Sequence, residues 1–308
     1  MRVLVTGASG LLGVNLAIEA AKRHTVYGTT YTHKLKTETF TSIQTNLLME
    51  GAVEKVIEQV QPDWVINCAA LAIVDACEQD PVLARKLNVE LPKKLANIVA
   101  RGGARLVHIS TDAVFDGQRG DYTEDDIPNP LSVYARTKLE GEWAVADADP
   151  DAIIARVNLF GWSLTGKRSL AEWFLNNLQA GKEMMGFTDV YFCPLLVNHL
   201  AKILMEMLEK GLNGLFHVVS RQGISKYEFG VSLCRQFGFD ENLIHPTSFE
   251  QSNLLARRSP RLTLRADKLI AELQKPLPEV HAGLERFFEL YKSGYSVMLQ
   301  KMIDGERS

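Results

Sequence analysis

The segment RVLVTGASGLLG, residues 2–13, decides the fold of this chain. An apolar, β-branched run leads there into three glycines with the spacing G-x-x-G-x-x-G. Gly7 allows a tight turn, Gly10 lets the backbone approach a diphosphate, and Gly13 lets a helix pack closely on the strand. Because these glycines stand where a first strand meets a first helix, they predict a dinucleotide-binding turn.

Strands and helices alternate outward from this turn. Residues 2–6 are apolar and β-branched, and further strands are predicted at residues 25–29, 42–45, 64–68, 105–110, 153–157 and 215–219. Apolar residues at helical spacing fill most of the intervals between them. The predicted class is therefore α/β, with a Rossmann-type doubly wound parallel sheet of about seven strands.

The alternation of strands and helices becomes irregular after residue 160, which predicts a smaller, discontinuous C-terminal substrate lobe. We expect the dinucleotide-binding Rossmann domain to comprise residues 1–160 and 193–220. The substrate-binding lobe is expected to comprise residues 161–192 and 221–308. A cleft between the two is the expected ligand site.

Composition excludes several classes of protein. Of the 308 residues, 46% are hydrophobic and 23% charged, which excludes a disordered chain, and the net charge of −3 implies neither nucleic acid nor an anionic membrane as partner. The first predicted strand begins at residue 2, and the four cysteines form no CxxC pair. We therefore expect no signal peptide and a cytoplasmic location. The histidines lack HExxH or HxxxH spacing, so no metal site is expected.

A candidate catalytic pair occurs at Tyr134 and Lys138. Residues four apart share one face of a helix, and an ammonium beside a phenol favours the ionised phenol. We therefore expect Lys138 to lower the pKa of Tyr134, so that the phenol exchanges a proton near neutral pH. Thr111 ends the fifth predicted strand, where ligands of parallel sheets bind, and its hydroxyl could hydrogen-bond a substrate carbonyl.

The glycine turn, Thr111 and the Tyr-x-x-x-Lys pair, in that chain order, resemble the extended short-chain dehydrogenase/reductase superfamily. Further motifs resemble its dTDP-4-dehydrorhamnose reductase family. These are NCAA at 67–70, STDAVFDG at 110–117, NP at 129–130 and KLEGE at 138–142. The resemblance is close over residues 1–160 and loose beyond.

This resemblance implies an NAD(P)H-dependent reductase of a nucleotide-linked 4-keto sugar. Thr111 would polarise the carbonyl, Tyr134 would donate the proton, and Lys138 would lower the pKa of Tyr134 and bind the nicotinamide ribose. The implied cofactor site comprises Gly7, Ser9, Gly10, Leu11, Leu12, Thr30, His33, Asn46, Leu47, Cys68, Ala69, Ala70, Asn88, Ser110, Tyr134 and Lys138.

The end of the second strand bears on the choice of dinucleotide. NAD-binding folds usually place a carboxylate there for the ribose 2′-hydroxyl, but residues 29–31 are Thr-Thr-Tyr. His33, Lys34 and Lys36 follow, and hydroxyls and cations suit a 2′-phosphate. We therefore expect NADP(H) to be preferred over NAD(H).

The expected substrate-binding residues are Asp112, Ala113, Leu159, Phe192 and Arg258. Arginines such as Arg156 and Arg258 suit a diphosphate. The sequence departs from the family pattern at sugar-pocket positions: Leu71-Ala72 replace His-Thr, Ala113 replaces Tyr, and residues 157–159 replace Thr-Ser-Trp. Three polar or aromatic contacts thus become small or apolar, so a modified sugar or another ketone stays open.

Two other functions stay open. One is a nucleotide-sugar epimerase of the same superfamily, which would retain tightly bound NAD. The other is a non-catalytic NAD(P)-binding regulatory subunit resembling the β subunit of methionine adenosyltransferase. A dehydratase is disfavoured because Ala113, not a second acid, follows Asp112. The nucleotide sugar is the expected partner, with a homodimer as one option for the assembly.

Overall fold

A computed structural model describes residues 1–32, 34–249 and 260–303. Its main feature is a parallel sheet of seven strands in the order β11-β6-β5-β4-β1-β2-β3. The strands are β1 Arg2–Thr6, β2 Thr25–Thr30, β3 Thr41–Gln44, β4 Trp64–Asn67, β5 Arg105–Thr111, β6 Ile153–Val157 and β11 Gly214–Val218. The Rossmann-type sheet predicted from sequence is confirmed, and its strand order brings the carboxyl ends of β1, β4, β5 and β6 side by side.

Helices cover both faces of the sheet. They are α1 Leu11–Ala20, α2 Ala52–Val60, α5 Leu91–Gly102, α6 Val133–Ala148 and α8 Val197–Glu209, while the short helices α3 Val74–Gln79 and α4 Pro81–Arg85 pack against α6. Alternate strand residues point to opposite faces. Val3 and Val5 pack in the cluster that includes α1 and α8, whereas Leu4 packs in the cluster that includes α2, α5 and α6. A strand buried on both faces explains its unbroken apolar sequence.

A π-helical turn, Lys86–Glu90, joins α4 to α5. Sequence analysis predicts one long helix from residue 81 to 100, kinked or divided at Pro92. Pro92 lies in the first turn of α5, and it has no N–H to donate to the carbonyl of Asn88 four residues earlier. The irregular turn carries the buried side chain of Asn88, which serves the site described below.

The remaining elements form smaller sheets and helices. Short strands pair as β10-β7, β12-β9-β14 and β13-β8. These strands are β7 Leu159–Phe160, β8 Met184–Phe187, β9 Tyr191–Phe192, β10 Leu195–Leu196, β12 Ile224–Ser225, β13 Ile244–Thr247 and β14 Arg261–Leu262. The helices are α7 Leu170–Gln179, α9 Lys226–Phe237, α10 Asp267–Leu273, α11 Val280–Lys292 and α12 Tyr295–Lys301.

Among the described residues, no helix combines the length and apolar character that crossing a membrane requires.

Candidate active site

The turn between β1 and α1 depends on close backbone contacts. Gly7 has φ +66°, and a Cβ there would lie 2.8 Å from the nitrogen of Ala69. A Cβ on Gly13 would lie 2.2 Å from the carbonyl oxygen of Gly7. Gly10 begins α1 without a side-chain cap, and the first turn of the helix contains no acid. The turn therefore offers bare backbone and a helix N-terminus, an arrangement that fits a diphosphate.

Buried polar groups fix the loop that follows β4. The hydroxyl of Thr6 donates to Asn67 Oδ1 at 2.6 Å and accepts from the N–H of Ala69 at 3.3 Å. Asn67 Nδ2 contacts His108 Nδ1 at 3.1 Å. Burial, and secondarily the ammonium of Lys138, lowers the pKa of His108 well below its usual range. His108 is therefore neutral and can accept from Asn67.

Asn88 holds the continuation of the same loop. Its Oδ1 accepts from the N–H of Leu71 at 2.9 Å, and its Nδ2 donates to the carbonyl of Leu71 at 3.1 Å and to the hydroxyl of Thr137 at 3.0 Å. Thr137 adjoins Lys138 on α6. The residue thus ties the β4 loop to the helix of the candidate catalytic pair, without itself lining the cleft described below.

Thr111, Asp112, Tyr134 and Asn158 form a connected group at the carboxyl edge of the sheet. The hydroxyl of Thr111 donates to Asp112 Oδ1 at 3.1 Å and interacts with the neighbouring phenol of Tyr134. Asn158 Nδ2 donates to Asp112 Oδ2 at 2.5 Å. Burial raises the pKa of Asp112 to about 6, against the lowering effect of both hydrogen bonds.

The lowered pKa predicted for Tyr134 is wrong. Burial raises the pKa of the phenol to about 12, and the neighbouring hydroxyl of Thr111 opposes this only in part. Lys138 directs its ammonium to the carbonyl of Ile109, with Nζ 2.6 Å from the oxygen. Burial also lowers the pKa of Lys138 to about 8, although the carboxylate of Glu142 counteracts it. At neutral pH the phenol therefore holds its proton, and most of the lysine is charged.

A buried ion pair lies next to this group. Arg156 donates to Glu142 from Nε at 3.0 Å and from Nη2 at 2.8 Å, and the hydroxyl of Ser110 also donates to Glu142. Both charged side chains are almost wholly buried, at 3% and 4% exposure. The prediction that Arg156 serves a diphosphate is wrong, because Glu142 engages its guanidinium inside the core.

Two adjoining cavities open at the carboxyl edge. The larger, here called the main cleft, has a volume of about 650 Å³. The smaller, here called the side cavity, has a volume of about 350 Å³. Asp112, Tyr134 and Asn158 line both, so the candidate catalytic group stands at their junction.

Most of the predicted site residues meet at these cavities. The main cleft is lined by Gly10, Leu11, Leu12, Cys68, Ala70, Ser110, Thr111, Asp112, Tyr134, Lys138 and Leu159. The side cavity is lined by Ala113 and Phe192 together with the shared residues. Burial raises the pKa of Cys68 to about 12, so its thiol is protonated. Gly7, Ser9 and Ala69 do not line the cleft, although Gly7 and Ala69 are in contact beside it.

The predicted adenosine-binding residues lie farther along the edge. The hydroxyl of Thr30, at the end of β2, is buried without a hydrogen-bond partner among the described residues. The carbonyl of Thr30 accepts from Thr45 N, just before Asn46 and Leu47. Lys34 is not part of this region, because it lines a hollow with His24 and Thr25 at the amino end of β2.

The predicted residues His33 and Arg258 lie outside the described residues. Within the described ranges, no group of three or more His, Cys, Asp or Glu residues is placed to hold a metal ion.

Sequence analysis names Asn158 only as one of the altered sugar-pocket positions, and the structure places it directly after β6, at the same edge as Thr111. Three further lining residues are not predicted from the sequence. Lys167 and Arg168 line the main cleft, and Lys226 lines the side cavity. These three belong to segments outside the regular alternation, and packing alone brings them to the site.

Comparisons with known proteins cover most of the chain. A family model described as the RmlD substrate binding domain matches residues 1–293. A protein of Haloferax volcanii named probable low-salt glycan biosynthesis reductase is 34% identical over 302 residues, which span 95% of this chain and 100% of that protein. Methionine adenosyltransferase 2 subunit beta of Danio rerio is 32% identical over 279 residues, 87% of this chain and 84% of that protein.

A solved structure is similar to this chain over nearly its whole length. A crystal structure of dTDP-4-dehydrorhamnose reductase from Bacillus anthracis in complex with NADP has a TM-score of 0.83 and 26% sequence identity. The match covers 94% of this chain and 98% of that chain. The similarity therefore includes both the parallel sheet and the smaller sheets around the side cavity.

Proposed function

The chain belongs to the RmlD substrate binding domain family, the dTDP-4-dehydrorhamnose reductase family of the extended short-chain dehydrogenases/reductases, and on that premise we propose that it reduces the 4-keto group of a nucleotide-linked sugar. The observation that carries the proposal is the convergence of Thr111, Tyr134 and Lys138 on the main cleft beside the glycine turn.

The dinucleotide proposed for the main cleft is NADP(H), in preference to NAD(H). The bare backbone at Gly10 and the close packing at Gly7 and Gly13 support a diphosphate at the turn. The unpartnered hydroxyl of Thr30 supports a ribose or phosphate near the end of β2. Lys138 would hold the nicotinamide ribose. When bound, the reduced dinucleotide supplies a hydride.

The chain's own residues would stabilise the charge on the carbonyl oxygen and donate its proton. Thr111 and Tyr134 would both donate to that oxygen, and the Thr111 hydroxyl would turn from Asp112 to do so. Because its pKa is about 12, the phenol arrives protonated and can give its proton as negative charge develops on the oxygen. The charge of Lys138 would stabilise the resulting phenolate.

The sugar is proposed to occupy the side cavity. Its lining combines Asp112 and Asn158 with apolar groups such as Ile73, Leu131 and Phe192. A deoxygenated or otherwise less hydroxylated sugar would suit those apolar walls. We further propose that the chain divides into the two lobes predicted from the sequence, that the protein is cytoplasmic and that it forms a homodimer.

A screen of nucleotide-linked 4-keto sugars with NADPH, followed by loss of its absorbance, tests the proposed activity. Tyr134→Phe removes only the phenolic hydroxyl, and we expect the rate to fall by about 10²-fold or more. Tyr291→Phe is the matched control, because Tyr291 is 40% exposed and lines neither cavity. An unchanged rate in Tyr134→Phe would remove Tyr134 from the role of proton donor.

A regulatory role is the second candidate, because the chain is 32% identical to methionine adenosyltransferase 2 subunit beta. Such a subunit would need the fold and its surface but not the proton donor. Size-exclusion chromatography with a methionine adenosyltransferase catalytic chain tests this role. Co-elution that persists in Tyr134→Phe, with every 4-keto sugar left unreduced, would favour the regulatory function.

A further inference from the structure

Two cations from a distant part of the sequence face the glycine turn. Lys167 and Arg168 lie between β7 and α7, yet they line the main cleft together with Gly10, Leu11 and Leu12. Both residues are exposed. Among the described residues, neither side chain forms an ion pair or a hydrogen bond.

A buried carboxylate fixes the backbone of this segment. Glu172 is 1% exposed and accepts from the N–H groups of Ser163, Arg168 and Ser169 at 2.6, 2.8 and 3.0 Å. Ser169 caps α7 and donates to the carbonyl of Gly161 at 2.7 Å. These hydrogen bonds fix the backbone of the loop between β7 and α7, so the positions of Lys167 and Arg168 on it are defined.

A second set of hydrogen bonds attaches the segment to the cofactor helix. Asn15, buried on α1, donates from Nδ2 to the carbonyls of Leu11 at 2.7 Å and Trp162 at 2.8 Å. Its Oδ1 accepts from the hydroxyl of Tyr295 at 2.9 Å. A hydrogen bond thus joins α1 to Trp162, which precedes the two cations in the same segment.

The charge balance identifies the ligand class. The first turn of α1 has no acid, and the glycine turn offers a helix N-terminus. Two cations lining the same cleft complete the surroundings that a diphosphate prefers. We propose that Lys167 and Arg168 bind the diphosphate of the dinucleotide together with the glycine turn.

The diphosphate of the sugar nucleotide has the same chemistry, but the placement favours the dinucleotide. Lys167 and Arg168 line the main cleft with Gly10 and Leu11, and they do not line the side cavity with Ala113 and Phe192. The inference rests on the proposed function, since it assumes a dinucleotide at the turn. It adds that the smaller lobe takes part in binding it.

The test is direct binding of NADPH and of NADH, measured by protein fluorescence quenching without any ketone. We expect the double variant Lys167→Gln/Arg168→Gln to bind both dinucleotides about tenfold more weakly or worse. The weakening should be equal for both, because they share the diphosphate. The salt dependence of Kd should also be shallower than in the unmodified protein. At saturating NADPH, the KM for the ketone should stay within about twofold.

Lys182→Gln/Arg221→Gln is the matched control, since both residues are exposed and line neither cavity. We expect its affinity for both dinucleotides to equal that of the unmodified protein. Circular dichroism of each variant would verify that the fold is intact.

Four results would overturn the inference. Unchanged affinity in the cleft variant excludes any contact with the dinucleotide, and a rise in the ketone KM alone assigns the cations to the sugar nucleotide. Weakened binding of NADPH alone assigns them to the 2′-phosphate. If the unmodified protein binds neither dinucleotide, the proposed function fails and this inference fails with it. The first three results leave the proposed function standing, so the two failures are distinguishable.

Discussion

The main cleft and the side cavity share one wall but are built differently. Except for Lys167 and Arg168, the main cleft is lined by residues 10–159, and close backbone contacts and buried polar groups set its shape. The side cavity also draws on residues 190–192, 226 and 262 from the smaller elements. The difference teaches that the main cleft, proposed for the dinucleotide, depends on the core of the sheet, whereas the side cavity, proposed for the sugar, can vary at little cost to the fold.

Glu142→Gln should give the largest effect, because it tests how far the main cleft depends on its buried charges. The carboxylate holds Arg156 and Ser110, and Ser110 lines the main cleft. Removing it leaves the Arg156 charge uncompensated in the core, so we expect the free energy of unfolding to fall by about 3–5 kcal/mol. Urea denaturation measures the change.

Glu140→Gln is the control on the same helix. Its side chain is 37% exposed and pairs with Arg85 at the surface. We expect a loss below about 1 kcal/mol. Equal losses of unfolding free energy in the two variants would show that burial of the Arg156–Glu142 pair has no special role in the stability of the protein.

Gly13→Ala tests the steric argument at the turn. The new Cβ would lie 2.2 Å from the carbonyl oxygen of Gly7, so the helix and the turn must separate. We expect a loss of about 1–3 kcal/mol in the free energy of unfolding, together with weaker NADPH binding. Both are measurable on one preparation, by urea denaturation and by fluorescence quenching.

Gly102→Ala should raise the free energy of unfolding, whereas Gly13→Ala should lower it. This glycine ends α5, and a Cβ there would meet nothing within 4 Å. Alanine should therefore stabilise the protein by up to about 1 kcal/mol through helix propensity. If Gly13→Ala behaved in the same way, the close approach at the turn would be wrong.

The same difference explains what the sequence could predict. The seven strands predicted for the main sheet agree with the structure to within a residue or two. Most of them carry apolar residues buried on both faces, whereas β3, at the edge of the sheet, is mostly polar and only partly buried. Thr111, Tyr134 and Lys138 were predictable because strand ends and helical spacing place them.

The errors concern groups whose partners lie far away in the chain. Arg156 meets Glu142 in the core, and Lys34 turns to the amino end of the sheet. The pKa of Tyr134 depends on burial more than on its neighbour Lys138. Spacing along one helix reveals neither desolvation nor contacts with other elements, so these properties required the structure.

Ala113→Tyr tests the side cavity without touching the dinucleotide. Ala113 lines the side cavity and not the main cleft. A tyrosine would occupy part of its volume of about 350 Å³, so we expect kcat/KM for the ketone to fall about tenfold. The Kd for NADPH should stay within about twofold, and the stability within about 1 kcal/mol. A large loss of dinucleotide affinity would contradict the separation of the two cavities.

Asn158→Ala should give the smallest effect and test the junction itself. Asn158 donates to Asp112, and this hydrogen bond lowers a pKa that burial raises to about 6. Because Asp112 lines both cavities, we expect its ionisation to set the acidic limb of the kcat/KM profile. Loss of the bond disfavours the carboxylate, so this limb should move to higher pH. The alkaline limb should remain near the pKa of Lys138, about 8, because Lys138 gains and loses no contact. At neutral pH we expect only about a twofold change in rate.

Rates measured from about pH 5 to about pH 9 separate the two limbs. Movement of both limbs would mean that Asp112 and Lys138 titrate as one coupled unit, and the two cavities would then no longer be independent.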